Sequence, residues 1–368
     1  MLKKFTVSNY RIFEEPITID FSNVRDYTFN PECIKDDLVN KGMIYGKNAV
    51  GKTNLGKAII DIRFTVLPNE IKYPTNIGFL NANSKYNFAK FDYVFIIDGQ
   101  VINYIYEKKS ANELKFECLK IDNQELYSYD FEEMRGNFEN LKKYKDLLHL
   151  NLDEWDTDIS ILRYILTNSK LNNLYILKQL REFINGMATL RPTDQTTRFL
   201  GPKFSDEGII KTLINNNLID DLEKFLIRNG IDIKLKVDST PDGDEKLYIN
   251  YKRPIEFVTN ASSGTKALTA IFLVLSNLSE IKFLFIDEFD ANFHYELAES
   301  MLERLKEIND CQIIVTTHNT DLMNNKFMRP DCYYLMLPNK IITMPDATPR
   351  ELRQGHNLEK LYQSGEFI

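Results

Sequence analysis

The stretch GMIYGKNAVGKTNLGKAIIDIRF, residues 42–64, restricts this chain more than any other part of it. Gly46, Gly51, Lys52 and Thr53 stand between a short apolar strand, Met43 to Tyr45, and a helical run, Leu55 to Arg63. Glycines let backbone N–H groups wrap phosphate oxygens, a lysine neutralises the β and γ oxygens, and a hydroxyl ligates Mg²⁺. The loop Gly46, Lys47, Asn48, Ala49, Val50, Gly51, Lys52, Thr53 and Asn54 is therefore expected to hold ATP, with Thr53 on the metal. A chance glycine turn is the competing reading, and it leaves Lys52 and Thr53 behind the second glycine without a reason. Such a loop covers only one side of a triphosphate, so other residues must close the opposite side.

Three later stretches bear on that question. In FLFIDEFD an apolar strand delivers Asp287 and Glu288 at its end. Adjacent carboxylates there divide the work, Asp287 on the Mg²⁺ shell and Glu288 on the attacking water. Taken alone, the pair is equally a helix N-terminal acidic pair. In TNASSGTKALTAIF, Ser262, Ser263 and Gly264 precede a helix, either as an anion site or as an ordinary N-cap. In IIVTTHNTDL, His318 ends a second apolar strand, a position that in isolation reads as structural.

The remaining pattern gives the frame. Phe5 and Val7, then Ile17, Ile19 and Phe21, alternate as two strands turning near Glu14 to Pro16. FDYVFII and VINYIYE flank Asp98-Gly99 as a hairpin, and a meander continues to about residue 130. Residues 131–215 change to a helical spacing rich in Leu, Asn and Lys, which predicts a helical insertion. LIDDLEKFLIRNG predicts a helix ended by Gly230, followed by a hairpin around Pro241 to Gly243. Helix and strand then alternate, with Phe283–Ile286 and Ile313–Val315 apolar enough for parallel strands buried on both faces. The parts are thus 1–130, 131–215 and 216–368.

The order of glycine loop, serine-glycine turn, DE strand and strand-end histidine resembles the ABC-type ATPase heads, the class containing SMC proteins, RecF-like repair ATPases and OLD-like phage-defence ATPases. More narrowly, NYRIF, GKNAVGKTNL, ASSGTKAL, IDEFDANFH, TTHNTDLM, RPDCYYLM and LEKLYQSGEF resemble bacterial ATPases of the abortive-infection, Septu, PARIS and AbiL type. The resemblance implies an α/β fold, an ABC-type P-loop ATPase head with an N-terminal β-rich lobe and a parallel-sheet lobe. It assigns Lys52 and Thr53 to phosphate and Mg²⁺, Asp287 to the metal shell, Ser262, Ser263 and Gly264 to the γ-phosphate, Glu288 to water and His318 to γ-phosphate sensing. It makes Asn9, Tyr10 and Arg11 candidates for a contact near the nucleotide. In such heads the signature serine acts on the ATP of a second protomer, so a homodimer or higher homo-oligomer with sandwiched ATP is implied.

Two departures stand out. No glutamine occurs between residues 65 and 90 to watch the metal, which leaves Asn81 or Asn83 as the candidate replacement, and Ala261 stands where the signature has Leu. The sequence continues only to Ile368 after His318, too short for a TOPRIM nuclease. Arg350 and His356 match the loose spacing of HEPN ribonucleases, but the tail is too short for that helical bundle. The expected function is thus an ATP-hydrolysing switch of anti-phage defence acting on a separately encoded effector, a nuclease such as a TOPRIM protein, with a phage protein or nucleic acid as trigger. The alternative is a RecF/SMC-like DNA clamp. The formal charge of −7 disfavours a broad nucleic-acid surface, while Lys142, Lys143 and Lys145 are read either as a local basic cluster or as a solvated helix face. A transporter motor is disfavoured by the missing glutamine. Cys33, Cys118, Cys311 and Cys332 have no paired spacing, which suits a reducing cytoplasm, and no apolar run reaches membrane-spanning length. The insertion is read either as a structural lid that buries its apolar faces against its host or as a surface for the effector or the phage trigger, and in the second reading the exposed apolar positions among Trp155, Ile159, Leu162, Tyr164 and Leu174 are the expected contacts.

Overall fold

Strand β1 (Leu2–Ser8) buries Phe5 and Val7 completely and pairs antiparallel with β2 (Ile17–Asp20), with Phe5 opposite Ile19, as the alternation predicts. The structure is a computed structural model that describes residues 1–68, 78–147, 150–151, 156–172, 174–192, 198–202, 208–240 and 242–367. After β3 (Ile34–Lys35) and β4 (Leu38–Val39), β5 (Lys41–Tyr45) leads through the glycine loop into α1 (Lys52–Val66). The meander follows as β6 (Ala89–Ile97), β7 (Gln100–Ser110), β8 (Glu113–Ile121), β9 (Gln124–Asp130) and the short β10 (Arg135–Asn137). Asp98 and Gly99 turn β6 into β7 with φ of 47° and 76°, the left-handed pair that a tight hairpin needs. Seven strands form this antiparallel sheet in the order β10-β9-β8-β7-β6-β1-β2.

The next stretch carries α2 (Ile161–Asn168), α3 (Tyr175–Asn185), β11 (Met187–Arg191), β12 (Arg198–Leu200), α4 (Ile209–Asn215) and α5 (Ile219–Arg228). Gly230, at φ 82°, lies just beyond α5 as expected. A small sheet of β13 (Leu235–Ser239), β14 (Glu245–Ile249) and β15 (Ile255–Glu256) forms the predicted hairpin, although Pro241 itself lies outside the described residues. Then come α6 (Phe257–Asn260), α7 (Ser263–Ser276), β16 (Phe283–Ile286), α8 (Tyr295–Lys306), β17 (Gln312–Thr317), β18 (Tyr333–Leu337), β19 (Lys340–Thr343) and α9 (Leu358–Gln363). The second seven-stranded sheet runs β12-β11-β16-β17-β5-β18-β19, its five inner strands parallel and both edge strands antiparallel. Every residue of β5, β16 and β17 is buried, as strands covered on both faces require. The fold is the α/β head expected, a β-rich lobe joined to a parallel-sheet lobe.

One expectation needs correction. The stretch 131–215 is more than a helical insertion, because β11 lies in the parallel sheet, in register beside β16 with Leu190 opposite Ile286. Its helices are equally built in. Ile161, Leu162, Ile165, Leu177, Leu180 and Ile184 are fully buried. At the start of α2, Glu117 of β8 accepts from the backbone N–H of Ile161 at 2.8 Å and of Leu162 at 2.9 Å, a buried carboxylate on a helix N-terminus. Leu162 and Leu174 are therefore core residues rather than partner contacts, Tyr164 is half-buried, Ile159 is exposed, and Trp155 lies outside the described residues.

Candidate functional site

Parallel strands place whatever follows them at one edge of the sheet, and here four neighbours deliver polar residues together. β17 lies between β5 and β16, with Thr317 opposite Tyr45 and Val315 opposite Ile286. The glycine loop after Tyr45, the acids after Ile286, Thr316 to His318 and Arg191 at the end of β11 therefore share one rim.

The glycine loop has the backbone its sequence demands. Gly51 sits at φ 111°, and an added Cβ would come within 2.6 Å of Ile12 Cδ1 and 2.7 Å of Phe13 Cε1. Lys47, Asn48 and Ala49 are exposed, so the loop is open to a ligand from solvent. Lys52 Nζ donates to the carbonyls of Gly46 at 2.5 Å and Lys47 at 3.1 Å. Burial holds its pKa below the usual lysine value, against the opposing pull of Asp287, Glu288 and Asp290.

Thr53 joins the loop to the acidic strand end. Its Oγ1 donates to Asp287 Oδ2 at 2.7 Å, while Thr316 Oγ1 donates to Asp287 Oδ1 at 2.9 Å. A hydroxyl that spends its one proton on a carboxylate keeps its lone pairs for a cation. Thr53 and the nearly fully buried Asp287 therefore fit a Mg²⁺ carried in by phosphates, a hard ion that needs only one or two protein carboxylates. Among the described residues no group of three or more His, Cys, Asp or Glu forms an all-protein metal cage.

Glu288 is held at φ 52°, a left-handed conformation uncommon for a glutamate, with its N–H donating to Thr316 Oγ1 at 2.9 Å. Its Oε1 accepts from Arg191 Nη2 at 3.0 Å, and Arg191 Nε lies 3.5 Å from Asp287 Oδ2. His318 is exposed, and the preceding Thr317 donates to the buried Asp290 at 2.6 Å, which fixes the strand end that presents the imidazole.

The other expected residues lie nearby to different degrees. Asn9 and Arg11 adopt φ of 50° and 53° in the turn that leads into Ile12 and Phe13, whose side chains press on Gly51. The Arg11 guanidinium is engaged by its neighbour, Nε donating to Tyr10 Oη at 3.1 Å, and Tyr10 is fully buried. Asn81, a candidate for the metal-watching glutamine, donates to Arg11 O at 2.7 Å and accepts from Asn83 N at 2.9 Å, contacts that engage it in the N-terminal turn. The strand that does flank the acids is β11, and Gln195 beyond it lies outside the described residues.

Ser262 caps α7, its Oγ accepting from Thr265 N at 3.2 Å. Ser263 and Gly264 form the first turn of that helix, with Gly264 close enough to Asn292 O that a Cβ would sit 3.1 Å away. Asn292 in turn donates to Pro192 O at 2.6 Å. Among the described residues no hydrogen bond joins Ser262, Ser263 or Gly264 to the glycine loop of the same chain. Sequence reading missed Arg191, Thr316, Asp290 and Asn292. The signals were there, a strand MATLR ending before proline and two threonines ahead of His318, but only strand pairing shows their convergence.

The family described as AAA domain, putative AbiEii toxin, Type IV TA system matches residues 43–324. No curated protein matches the sequence. Solved structures with a similar fold include an SMC head bound to the C-winged helix domain of ScpA, at 14% identity and a TM-score of 0.48, covering 93% of this chain and 97% of that one. The SMC head domain from Thermotoga maritima is 17% identical, with a TM-score of 0.43 over 93% and 98%. The recombination mediator RecF with ATP is 13% identical, with a TM-score of 0.44 over 93% and 99%.

Proposed function

The chain belongs to this AAA-domain family and is an ATPase of AAA/ABC type, and from that premise we propose that it is an ATP-driven switch of bacterial anti-phage defence. Two copies close on two ATP molecules, and the closed dimer controls a separately encoded effector, a nuclease. Support for the defence role comes from the family's description, which reads putative AbiEii toxin, Type IV TA system. Support for the chemistry comes above all from one contact, the 2.7 Å hydrogen bond between Thr53 and Asp287, which couples the phosphate loop to the acidic strand end.

In the proposed reaction Lys52 and the loop N–H groups bind the phosphates, and Thr53 with Asp287 would hold a Mg²⁺, which would supply neutralisation of the phosphate charge. Glu288 takes a proton from water as the water oxygen bonds to the γ-phosphorus and the bridging P–O bond breaks, giving ADP and inorganic phosphate. His318, from the end of β17, bonds a γ-oxygen. Ser262, Ser263 and Gly264 act on the partner's nucleotide.

Mixed dimers test the assembly. Lys52→Ala loses the point charge on the phosphates and Ser263→Arg blocks the closing face, so each variant alone is expected to lose ATPase activity and ATP-dependent dimerisation by light scattering. A mixture is expected to recover part of the activity, since one undamaged composite site forms per mixed dimer. No recovery, with both chains folded, refutes closure in trans. Normal ATP affinity in Lys52→Ala refutes the site itself.

A further inference from the structure

Arg191 takes no part in the reaction proposed above, yet it is the cation that bridges both reacting carboxylates. Parallel pairing holds it there: Asp287 N donates to Leu190 O at 2.8 Å, so the residue after Leu190 must stand beside the acids. Its guanidinium spans both of them, Nη2 at 3.0 Å from Glu288 Oε1 and Nε at 3.5 Å from Asp287 Oδ2. That second oxygen is the one Thr53 already binds at 2.7 Å, the position where a metal shell would attach. Nε is buried, and among the described residues it makes no hydrogen bond. A buried N–H that pairs with a carboxylate only through charge, with no hydrogen bond among the described residues, on a side chain about a third exposed, has donor capacity left for a ligand.

We propose that Arg191 is a γ-phosphate-binding residue: without nucleotide it neutralises Glu288 and Asp287, and with ATP it moves to the γ-phosphate and releases Glu288 to act on water. This rests on the ATPase reading of the same site. The physical reason lies in competing charges. Arg191 Nε lies 3.5 Å from the Asp287 oxygen that would face a Mg²⁺, so a bound cation there would weaken its hold on the carboxylates. The γ-phosphate offers the displaced guanidinium two or three charged oxygens that match its fork. Mg·ADP brings the repulsion without the new acceptor. Arg191 therefore distinguishes ATP from ADP and keeps Glu288 inactive until a γ-phosphate is present.

The experiment is equilibrium binding of Mg·ADP and of the Mg complex of a β,γ-imido ATP analogue to the full chain, for wild type, Arg191→Ala and Arg191→Lys, with thermal unfolding to verify folding. A charge-assisted hydrogen bond lost from the triphosphate weakens binding about tenfold or more. Arg191→Ala is expected to lose that factor for the imido analogue alone, with Mg·ADP bound unchanged or more tightly, and ATP turnover reduced. Arg191→Lys is expected to restore part of the preference, because an ammonium supplies charge without the fork. Equal affinities for both nucleotides before and after substitution, or equal losses for both, overturn the proposal. Lys52→Ala serves as the control, and unchanged binding of both nucleotides there overturns the nucleotide site together with Arg191's place in it.

Discussion

Replacing Thr53 by valine removes one oxygen and almost nothing else. The side chain stays β-branched in the first turn of α1, so helix propensity changes little. What disappears is a 2.7 Å donation to Asp287, a carboxylate only 3% exposed. Hydrogen bonds to charged groups contribute about 1.5–3 kcal/mol, and Thr53 is half-buried, which places the expected loss toward the lower bound. Asp287 retains Thr316 and Arg191, so the protein should remain folded. In urea unfolding without nucleotide, Thr53→Val is expected to lower the midpoint with an unchanged slope, while Thr53→Ser, which keeps the hydroxyl, stays close to wild type. The same variant should lose the Mg²⁺-dependent part of ATP binding, since the lone pairs leave with the oxygen. A valine variant as stable as wild type, or a serine variant as unstable as valine, would refute the claim that this hydroxyl bridges loop and acid.

Two further substitutions test the frame around the site. Gly51→Ala forces a Cβ at φ 111° to within 2.6 Å of Ile12 Cδ1, and left-handed strain plus overpacking should cost roughly 2–4 kcal/mol in thermal or urea unfolding; a loss below about 1 kcal/mol would show that the N-terminal turn does not pack on the loop. Lys41, 1% exposed with Nζ donating to Cys311 O at 2.8 Å, has its pKa lowered by burial to about 8. The unfolded chain therefore binds more protons than the native one between pH 8 and the usual lysine value of 10.5, so Lys41 makes stability rise with pH across that window. Lys41→Met should remove a rise of roughly 3 kcal/mol, seen as a flatter pH profile, and an unchanged profile would refute the depressed pKa.

Much of this site was legible because its chemistry is local in sequence. The glycine loop, the DE strand end and the Ser-Ser-Gly turn are each short runs whose residue types carry their own reasons. The α/β alternation from Thr265 to Thr317 was legible for the same cause, since continuous apolar runs between amphipathic helices admit few other structures. Arg191 was not legible. It reaches the acids only because β11 pairs with β16, nearly a hundred residues away in sequence, and parallel pairing leaves no local trace. The helical reading of 131–215 holds for α2, α3 and α4 but missed β11 for a related reason: Met187–Arg191 is a short strand directly after α3, too brief for alternation to show against the helical spacing before it.

The connections of α1 explain why that stretch cannot be an appendage. At its start α1 carries Lys52 and Thr53; farther along, Asp61 accepts from Lys108 at 2.7 Å and Tyr106 at 2.9 Å, both on β7 and all three buried. Breaking a buried ion pair costs several kcal/mol, so the phosphate loop and the meander sheet are expected to move as one body. Arg63, on the same helix, donates to Ile184 O at 3.1 Å and Met187 O at 2.9 Å, which ties α3 and the first residue of β11 to that body. The glycine loop and the strand that presents Arg191 are thus fixed to one helix. α7 is held differently: it packs on α4 and α5, and its first turn approaches the acidic rim through the backbone of Asn292. Excising 131–215 would remove Met187 and Arg191 along with the helices, and ATPase activity should fall with it. A change that spares β11, such as substituting the exposed Ile159, is the informative way to look for a partner contact there.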